Sequence, residues 1–228
     1  MKKSFLIGIP VRDFVNPMSR LSAVLSKDQR IELSKGLLLN LIDVFQDSDS
    51  DIYVVSNDIK VKEFCHKKNI NVIETGEKGL NNEIKSFINE INQYKSWTIV
   101  HSDLPYLTKH FARTWISLCT SKDIVIAASK DNGTPIIGGS KFFNNFLYGE
   151  NSFNKHINNL QEQNTQYERI FHKEFCFELD DEEDYLEFLR HKPRWYTKIE
   201  NTSSPDRIRT GVSGLKTQRP RPLDDGAV

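Results

Sequence analysis

The length and composition of the chain are those of an ordinary globular protein. It has 228 residues, 38% of them hydrophobic, which is enough apolar material for the core of one large domain or two small ones. Lysine and arginine together number 31, as do aspartate and glutamate, so the formal net charge is zero. This balance argues against general nucleic-acid binding, which needs a clustered basic face.

The charge is unevenly distributed along the chain. Residues 190–228 contain nine basic and four acidic side chains, which leaves residues 1–189 mildly acidic. From residue 202 onward, small, polar and charged residues dominate without periodicity. We therefore predict one domain over residues 1–201 and a disordered basic tail over residues 202–228. The tail is interpreted as a solvated extension, with an interaction arm as the alternative.

The cysteines and the N-terminal sequence favour a reduced, cytoplasmic protein. Cys65, Cys119 and Cys176 are widely spaced and odd in number, so they predict neither a disulfide framework nor a zinc site. The apolar run that begins at Phe5 stops at Pro10, which is too short for a signal sequence or a membrane span. We predict a first buried strand there instead, and no membrane partner.

Short apolar runs alternate with helical patterns over the first half of the chain. The predicted strands are residues 5–9, 52–55, 70–73, 98–100 and 124–128. Ser26 and Gln29 form a capping box for the first helix, and Asn57 caps a short second helix. A third helix opens at residue 81 or 82, and Thr108 precedes a fourth. This alternation predicts an α/β protein, a three-layer sandwich around a mostly parallel sheet.

The rhythm changes after residue 131. Residues 131–140 are rich in glycine, and residues 148–153 form a second special turn that leads into a helix. Residues 174–179 are predicted as a last strand, followed by an acidic segment and a helix over residues 185–189.

The connection after the first strand is a candidate phosphate-binding loop. It runs from residue 10 to residue 26, which is longer than the usual two to six residues, and loops of this kind tend to be functional. Arg12 and Arg20 lie in it, and guanidinium groups pair with phosphate bidentately. The alternative is a surface loop with ordinary solvated arginines, and spacing alone does not separate the two.

Carboxylates follow two of the predicted strands, where ligands bind in sheets of this kind. Asp103 could supply a hard oxygen ligand to a divalent cation, or it could only cap the turn into the next helix. The nearby His101 is interpreted as a packed or hydrogen-bonded histidine rather than a base. Within the acidic segment at residues 178–184, most side chains suit a first helical turn. Asp180 is the one that we predict to face the site.

Two glycine-containing turns are candidate anion sites. Glycine permits close approach of backbone N–H groups, and a hydroxyl adds a donor, as at Gly133–Thr134 and Gly149–Ser152. Ser152 either caps the helix that follows or holds a phosphate at its N-terminus. Taken alone, each turn is only a weak indication of an anion-binding site.

Taken in order, these segments resemble one family, the guanylyltransferases of deazaflavin coenzyme F-420 biosynthesis, known as 2-phospho-L-lactate guanylyltransferase or CofC. The resemblance covers about residues 4–190. The matching segments are SRLSAVLS at 19–26 with Arg30, GLN at 79–81, SDLP at 102–105, GT at 133–134, YGENSF at 148–153 with His156, and DDEEDY at 180–185. No single piece is specific, but six in this order and spacing are hard to obtain by chance.

The resemblance implies a Rossmann-like nucleotidyltransferase fold with a mixed central sheet, and a reaction that joins GTP to 2-phospholactate or phosphoenolpyruvate with release of pyrophosphate. It further implies a Mg²⁺ ion held by Asp103 and Asp180, which with Arg20 would form the catalytic group. The family also suggests a homodimer. The proposed partners are therefore GTP and a small phosphorylated carboxylic acid.

The remaining implied roles concern substrate binding. Arg12, Ser19 and Arg20 match the triphosphate-binding stretch. The residues that match the nucleoside site are Gly79, Leu80 and Asn81, and those that match the acid site are Thr134, Gly149 and Ser152.

Two departures from the family pattern bear on these roles. The family usually has lysine near Arg12, and arginine keeps the charge but not the geometry. The Gly-Thr turn commonly continues with asparagine, where this chain has Pro135. Two alternatives stay open: a nucleotidyltransferase of the same fold with another nucleotide or acceptor, and a nucleotide-binding protein without catalytic activity.

Overall fold

The computed structural model describes residues 3–46, 49–74 and 79–197. The predicted tail over residues 202–228 lies outside the described residues. The strands are β1 (Lys3–Pro10), β2 (Ser50–Ser56), β3 (Val72–Glu74), β4 (Tyr94–Val100), β5 (Ile124–Ala127), β6 (Ile136–Gly139) and β7 (Tyr167–Ile170). The helices are α1 (Lys27–Gln46), α2 (Ile59–Lys67), α3 (Leu80–Ile91), α4 (Lys109–Ser121), α5 (Ser152–Glu162), α6 (Lys173–Cys176) and α7 (Glu182–Arg190), with a 3₁₀ turn at Ser19–Ala23.

The strands form one mixed sheet in the order β3-β2-β1-β4-β6-β5-β7. All neighbouring pairs are parallel except those of β6, which runs antiparallel to both β4 and β5. The mostly parallel sheet predicted from the apolar runs is therefore confirmed. Because β6 is reversed, its start lies beside the end of β4, where Val100 pairs with Ile136.

Helices cover both faces of the sheet, so the predicted three-layer arrangement is confirmed. α1, α2 and α4 bury apolar side chains against one face, and α3 and α5 bury theirs against the other. A third apolar cluster joins the 3₁₀ turn and α1 to α7 through Leu21, Leu37 and Phe188. This cluster fixes the loop after β1 against the segment that contains Asp180.

The starts of α1 and α4 follow the sequence, whereas that of α2 needs a correction. The Ser26 and Gln29 capping box is present, with Gln29 N donating to Ser26 Oγ (3.3 Å) and Ser26 N to Gln29 Oε1 (2.9 Å). Thr108 is the N-cap of α4, as predicted. The prediction for Asn57 is wrong, because Asp58 caps α2 by accepting from the Val61 N–H at 2.9 Å.

The predicted last strand over residues 174–179 is also wrong. Its first part is the short helix α6, and the rest has no regular structure. The apolar residues of this segment pack in two different clusters, Phe175 in the one that contains α1, α2 and α4 and Leu179 in the third. Their spacing therefore does not reflect a strand. The last strand is instead β7, which pairs with β5 at the sheet edge and has the largely polar sequence Tyr-Glu-Arg-Ile.

β6 was missed for a different reason: it holds only two apolar residues before two glycines. Those glycines are required by close packing, since a Cβ at Gly139 would lie 2.0 Å from the Asp123 carbonyl oxygen. Among the described helices, none is long and apolar enough to cross a membrane.

Candidate functional site

The candidate site lies at the edge of the sheet where β4 ends and β6 begins. A backbone hydrogen bond from Leu179 N to Asp103 O (2.9 Å) brings residues 178–180 against the loop after β4. Just beyond the paired ends of β4 and β6, His101 N donates to Pro135 O at 2.8 Å. This bond brings the turn that contains Thr134 to the same edge. Segments separate in sequence thus meet at the carboxyl end of the central strands, where sheets of this class bind ligands.

Asp103 lies in a group of three possible cation ligands. One ligand atom from each of His101, Asp103 and Glu178 lies within 4.8 Å of the others. His101 Nδ1 is 3.0 Å from Glu178 Oε1, and the two side chains are only 19% and 16% exposed. Sequence reasoning missed Glu178, since it attributed that part of the acidic segment to a strand end and a helical turn.

The electrostatics of this group favour binding of a positive charge. Burial raises the pKa of Asp103, the charge of Glu178 raises it further, and Asp180 adds a smaller effect in the same direction. Burial lowers the pKa of the His101 imidazole, but its hydrogen bond and charge interaction with Glu178 outweigh this, so the pKa is raised. Carboxylates crowded in this way repel each other and are stabilised by a cation.

Unsatisfied polar atoms in the same place fit a bound ion. Asp103 Oδ1 and His101 Nε2 are both buried without a hydrogen-bond partner among the described residues. Buried polar atoms without a partner are rare and often mark a ligand position. Oxygen donors of this kind suit Mg²⁺ or Mn²⁺. The residues at this edge therefore fit a divalent cation.

Asp180 lies beside this group and pairs with Arg20. Its carboxylate accepts a hydrogen bond from Arg20 Nη1. Burial raises the pKa of Asp180, and the charge of Arg20 opposes this rise. The structure thus places Asp103, Asp180 and Arg20 at one edge of the sheet, with Glu178 beside Asp103.

Two further residues of the acidic segment, Asp181 and Asp184, have structural partners. Asp181 caps α7 by accepting from Asp184 N at 3.0 Å, and the Asp184 side chain completes a capping box. Lys130 Nζ lies 2.8 Å from a carboxylate oxygen of each. The prediction that most of these acidic residues belong to a helix start is confirmed.

The loop after β1 is held from within by a buried arginine. Arg30, only 6% exposed, donates from Nη1 to Asn16 Oδ1 (2.9 Å) and to Pro17 O (2.8 Å). The exposed Ser19 and Arg20 follow directly in the 3₁₀ turn. The loop is therefore anchored at its centre and presents Arg20 to Asp180.

Arg12 lies in a different part of the same loop. Its side chain is 95% exposed and lies 3.9 Å from Asp13. Burial raises the pKa of Glu83, and the charge of Arg12 opposes part of this rise. Glu83 belongs to the first turn of α3. Arg12 thus lies on the α3 side of the site, whereas Arg20 lies on the α7 side.

Gly79, Leu80 and Asn81 lie at the start of α3. Gly79 has φ = 104°, which favours glycine, and is the N-cap. Leu80 rather than Asn81 is the first helical residue. The Asn81 amide binds the backbone of Tyr148 in both directions, with Nδ2 to O at 3.1 Å and N to Oδ1 at 2.8 Å. Its side chain therefore joins α3 to the turn at residue 148.

Thr134, Gly149 and Ser152 are brought together by that turn. Gly149 is exposed with φ = 119°, and Ser152 Oγ lies 3.2 Å from Thr134 Oγ1. Asn151, not Ser152, is the N-cap of α5, so the capping interpretation of Ser152 is wrong. Its hydroxyl instead faces Thr134, and both side chains are buried.

A cleft of about 440 Å³ opens beside the carboxylates, between the ends of β5 and β7. Its walls include Phe171 and Phe177, and its polar lining includes Glu178 and Asp180. The site thus combines a carboxylate group, an arginine that pairs with Asp180, a nearby pair of hydroxyls and a partly apolar cleft. This combination suits binding of a polyanion with a cation.

Comparison with known proteins places the chain in one family. The sequence profile of the family described as "Guanylyl transferase CofC like" matches residues 5–201. A 2-phospho-L-lactate guanylyltransferase from Methanocaldococcus vulcanius is 33% identical over 199 residues, covering 85% of this chain and 88% of that protein. The corresponding enzyme from Methanocaldococcus jannaschii is 32% identical, with 83% and 84% covered.

Comparison of the fold also identifies similar structures at low sequence identity. A solved nucleotide-diphospho-sugar transferase from Desulfovibrio desulfuricans superposes with a TM-score of 0.72 at 13% identity, covering 88% of this chain and 95% of that one. At that identity the likeness shows the fold alone, and it confirms the expected nucleotidyltransferase architecture. With the family match over most of its length, the chain belongs to the CofC-like guanylyltransferases and is a nucleotidyltransferase.

Proposed function

We propose that the chain transfers the guanylyl group of GTP to the phosphate of a small phosphorylated carboxylic acid, 2-phospholactate or phosphoenolpyruvate, in coenzyme F-420 biosynthesis. The observation that carries this proposal is the group of Asp103, Glu178 and His101 beside the Arg20–Asp180 pair. The triphosphate of GTP and the phosphate of the acid bring a large negative charge to one place. This edge of the sheet holds an arginine that can pair with phosphate and a cluster of carboxylates suited to a cation.

In the proposed reaction, a phosphate oxygen of the acid attacks the α-phosphorus of GTP. A bond from this oxygen to the α-phosphorus forms, the bond from the α-phosphorus to the bridging oxygen breaks, and pyrophosphate leaves with that electron pair. No protein nucleophile is needed, because the acid's phosphate is already anionic at neutral pH. Catalysis then consists of positioning and charge stabilisation.

Each part of the site has a role in this scheme. Asp103, Asp180 and the newly identified Glu178 would hold Mg²⁺, which when bound supplies charge neutralisation at the phosphates. Arg20 and Arg12, at two positions in the loop after β1, stabilise the departing pyrophosphate. Ser19, next to Arg20, contributes to triphosphate binding. The nucleoside lies near the Gly79–Asn81 helix start, and the acid lies at Thr134, Gly149 and Ser152.

The proposal is tested by pyrophosphate release over a grid of substrates. GTP, CTP, UTP and ATP are each combined with 2-phospholactate, phosphoenolpyruvate and 3-phosphoglycerate in the presence of Mg²⁺. We expect release with GTP and a three-carbon acid, and release at least about 10²-fold slower from Asp103→Asn protein under the same conditions. Glu63→Gln, which alters an exposed carboxylate on α2, is the matched control. Binding of GTP without any pyrophosphate release would instead support a non-catalytic nucleotide-binding protein.

One observation favours a second candidate within the same class. The cleft beside Glu178 and Asp180, at about 440 Å³ and with Phe171 and Phe177 in its wall, is larger than a three-carbon acid requires. An acceptor with an additional apolar group would use that space. Faster release with a longer phosphorylated acid than with any three-carbon acid would favour this alternative.

The family resemblance also suggests assembly and location. We propose a homodimer in the cytoplasm, acting on water-soluble substrates. Sedimentation analysis at micromolar concentration tests the dimer, and a single species of monomer mass would contradict it.

A further inference from the structure

The hydroxyl pair at the acid subsite is joined to a buried histidine. His156 Nδ1 lies 2.9 Å from Thr134 Oγ1, and its other nitrogen, Nε2, lies 2.9 Å from the backbone nitrogen of Leu147. His156 is fully buried, and Thr134 and Ser152 are 1% and 2% exposed. The ring thus connects the turn before α5 to the hydroxyl pair.

The backbone contact decides which ring nitrogen carries the proton. A backbone N–H can only donate, so Nε2 of His156 must accept from Leu147. In the neutral imidazole the proton therefore resides on Nδ1, which donates to Thr134 Oγ1. Burial lowers the pKa of His156 to about 4, so the ring is neutral at physiological pH.

This tautomer determines what the hydroxyl pair can offer to a ligand. Thr134 and Ser152 together have two O–H protons, and the hydrogen bond between them uses one. Because His156 donates to Thr134, the second proton is not used by the ring. With the opposite tautomer Thr134 would donate to the ring, and the pair would present only lone pairs.

The remaining proton has no acceptor in the described part of the chain. The hydrogen bonds recorded for the two hydroxyls are the one between them and the one from His156. A buried O–H without an acceptor is costly, and a ligand oxygen would satisfy it. A donor suits a carboxylate or phosphate oxygen, whereas lone pairs alone would repel it.

We propose that His156 is a positioning residue that orients the hydrogen bonds at Thr134, so that the Thr134–Ser152 pair donates to an anionic oxygen of the acid substrate. This inference rests on the proposed function for the identity of the acid, but not for the direction of the hydrogen bonds. Three aromatic rings hold the imidazole in place, since Phe143, Phe146 and Tyr148 each meet it at an interplanar angle of 77–78°.

The tautomer is measured directly in the wild-type protein. With ¹⁵N-labelled histidine, NMR correlation through the ring protons identifies the protonated nitrogen of each imidazole. We expect Nδ1 of His156 to be protonated and Nε2 bare from pH 5.5 to 8. A protonated Nε2 would overturn the inference, whether or not the protein is active.

Two substitutions separate the contacts of the ring. His156→Asn places an amide donor near the Nδ1 position, and His156→Gln places an amide oxygen near the Nε2 position. The first keeps the donor to Thr134 and the second keeps the acceptor for Leu147. We expect His156→Gln to raise KM for the acid about tenfold or more, the scale of one hydrogen bond to a charged group, with KM for GTP unchanged. His156→Asn should raise KM for the acid less than threefold.

The exposed substitution Asn158→Gln on the same helix is the control for effects on folding. Equal increases in KM for the acid in both His156 variants, or equal effects on GTP and the acid, would show a merely structural role. If the wild-type protein releases no pyrophosphate with any acid, the proposed function fails. Calorimetric binding of phosphoenolpyruvate to wild type and to His156→Gln then still tests the inference, and equal affinities would refute it.

Discussion

Lowering the pH from 8 to 6 is expected to weaken cation binding at Asp103 strongly. Burial and the charge of Glu178 raise the pKa of Asp103 from 3.8 to about 7. The carboxyl group must lose its proton to bind a cation. Roughly nine tenths of it is ionised at pH 8 and roughly one tenth at pH 6, so the apparent affinity should fall about tenfold.

The neighbouring histidine acts in the same direction. The pKa of His101 is raised, so acid also adds a positive charge next to Glu178. Titration calorimetry with Mg²⁺ and with Mn²⁺ at pH 6, 7 and 8, at constant ionic strength and without nucleotide, measures the effect. In Asp103→Asn protein the affinity should be lower at pH 8 and should change less with pH. An affinity for wild type that varies less than threefold over this range would refute the reasoning.

Other predictions concern turnover, the arginine, pH stability and packing. Asp103→Asn should lower turnover at least about 10²-fold at pH 8, as loss of one key electrostatic group does, and near-normal turnover of the folded variant would exclude its role. Arg20→Lys keeps the charge but not the bidentate geometry, so steady-state kinetics should show lower kcat with intact folding by circular dichroism. Because the folded-state pKa of Asp103 is raised, its contribution to stability is full below its unfolded pKa and is lost as pH rises through about 7. Urea unfolding should therefore show a decrease from pH 6 to pH 8 that saturating Mg²⁺ reverses, and no effect of Mg²⁺ would contradict it. Gly139→Ala places a Cβ 2.0 Å from the Asp123 carbonyl oxygen, so its Tm should fall by several degrees, while an unchanged Tm would contradict this packing.

The sequence predicted the strands that contain short uninterrupted apolar runs. Uninterrupted apolar runs gave β1, β2, β4 and β5, and a capping box gave the start of α1 at Ser26. The elements that it missed have mixed composition: β7 lies at the sheet edge with polar residues, and β6 contains Gly138 and Gly139. Local periodicity does not distinguish such short strands from loops.

The site was predicted in part for a similar reason. Asp103 follows a buried strand, a position that sequence reasoning recognises. The position of Glu178 depends on a backbone hydrogen bond between Leu179 and Asp103, two residues distant in sequence. No local sequence pattern predicts such a contact. The hydrogen bond of His101 to Glu178 agrees with its interpretation as a packed or hydrogen-bonded histidine, but the sequence did not identify this partner.

The reversed direction of β6 has a consequence for how substrate choice can change. The residues proposed to recognise the acid precede β6 or lie in the turn at residues 149–152, whereas the carboxylates proposed to hold the cation follow β4 and α6. The two sets adjoin in space but are encoded in different stretches of the chain. On the proposed assignment, replacing residues 131–135 and 148–152 of this chain should alter acceptor preference and leave the proposed cation carboxylates in place.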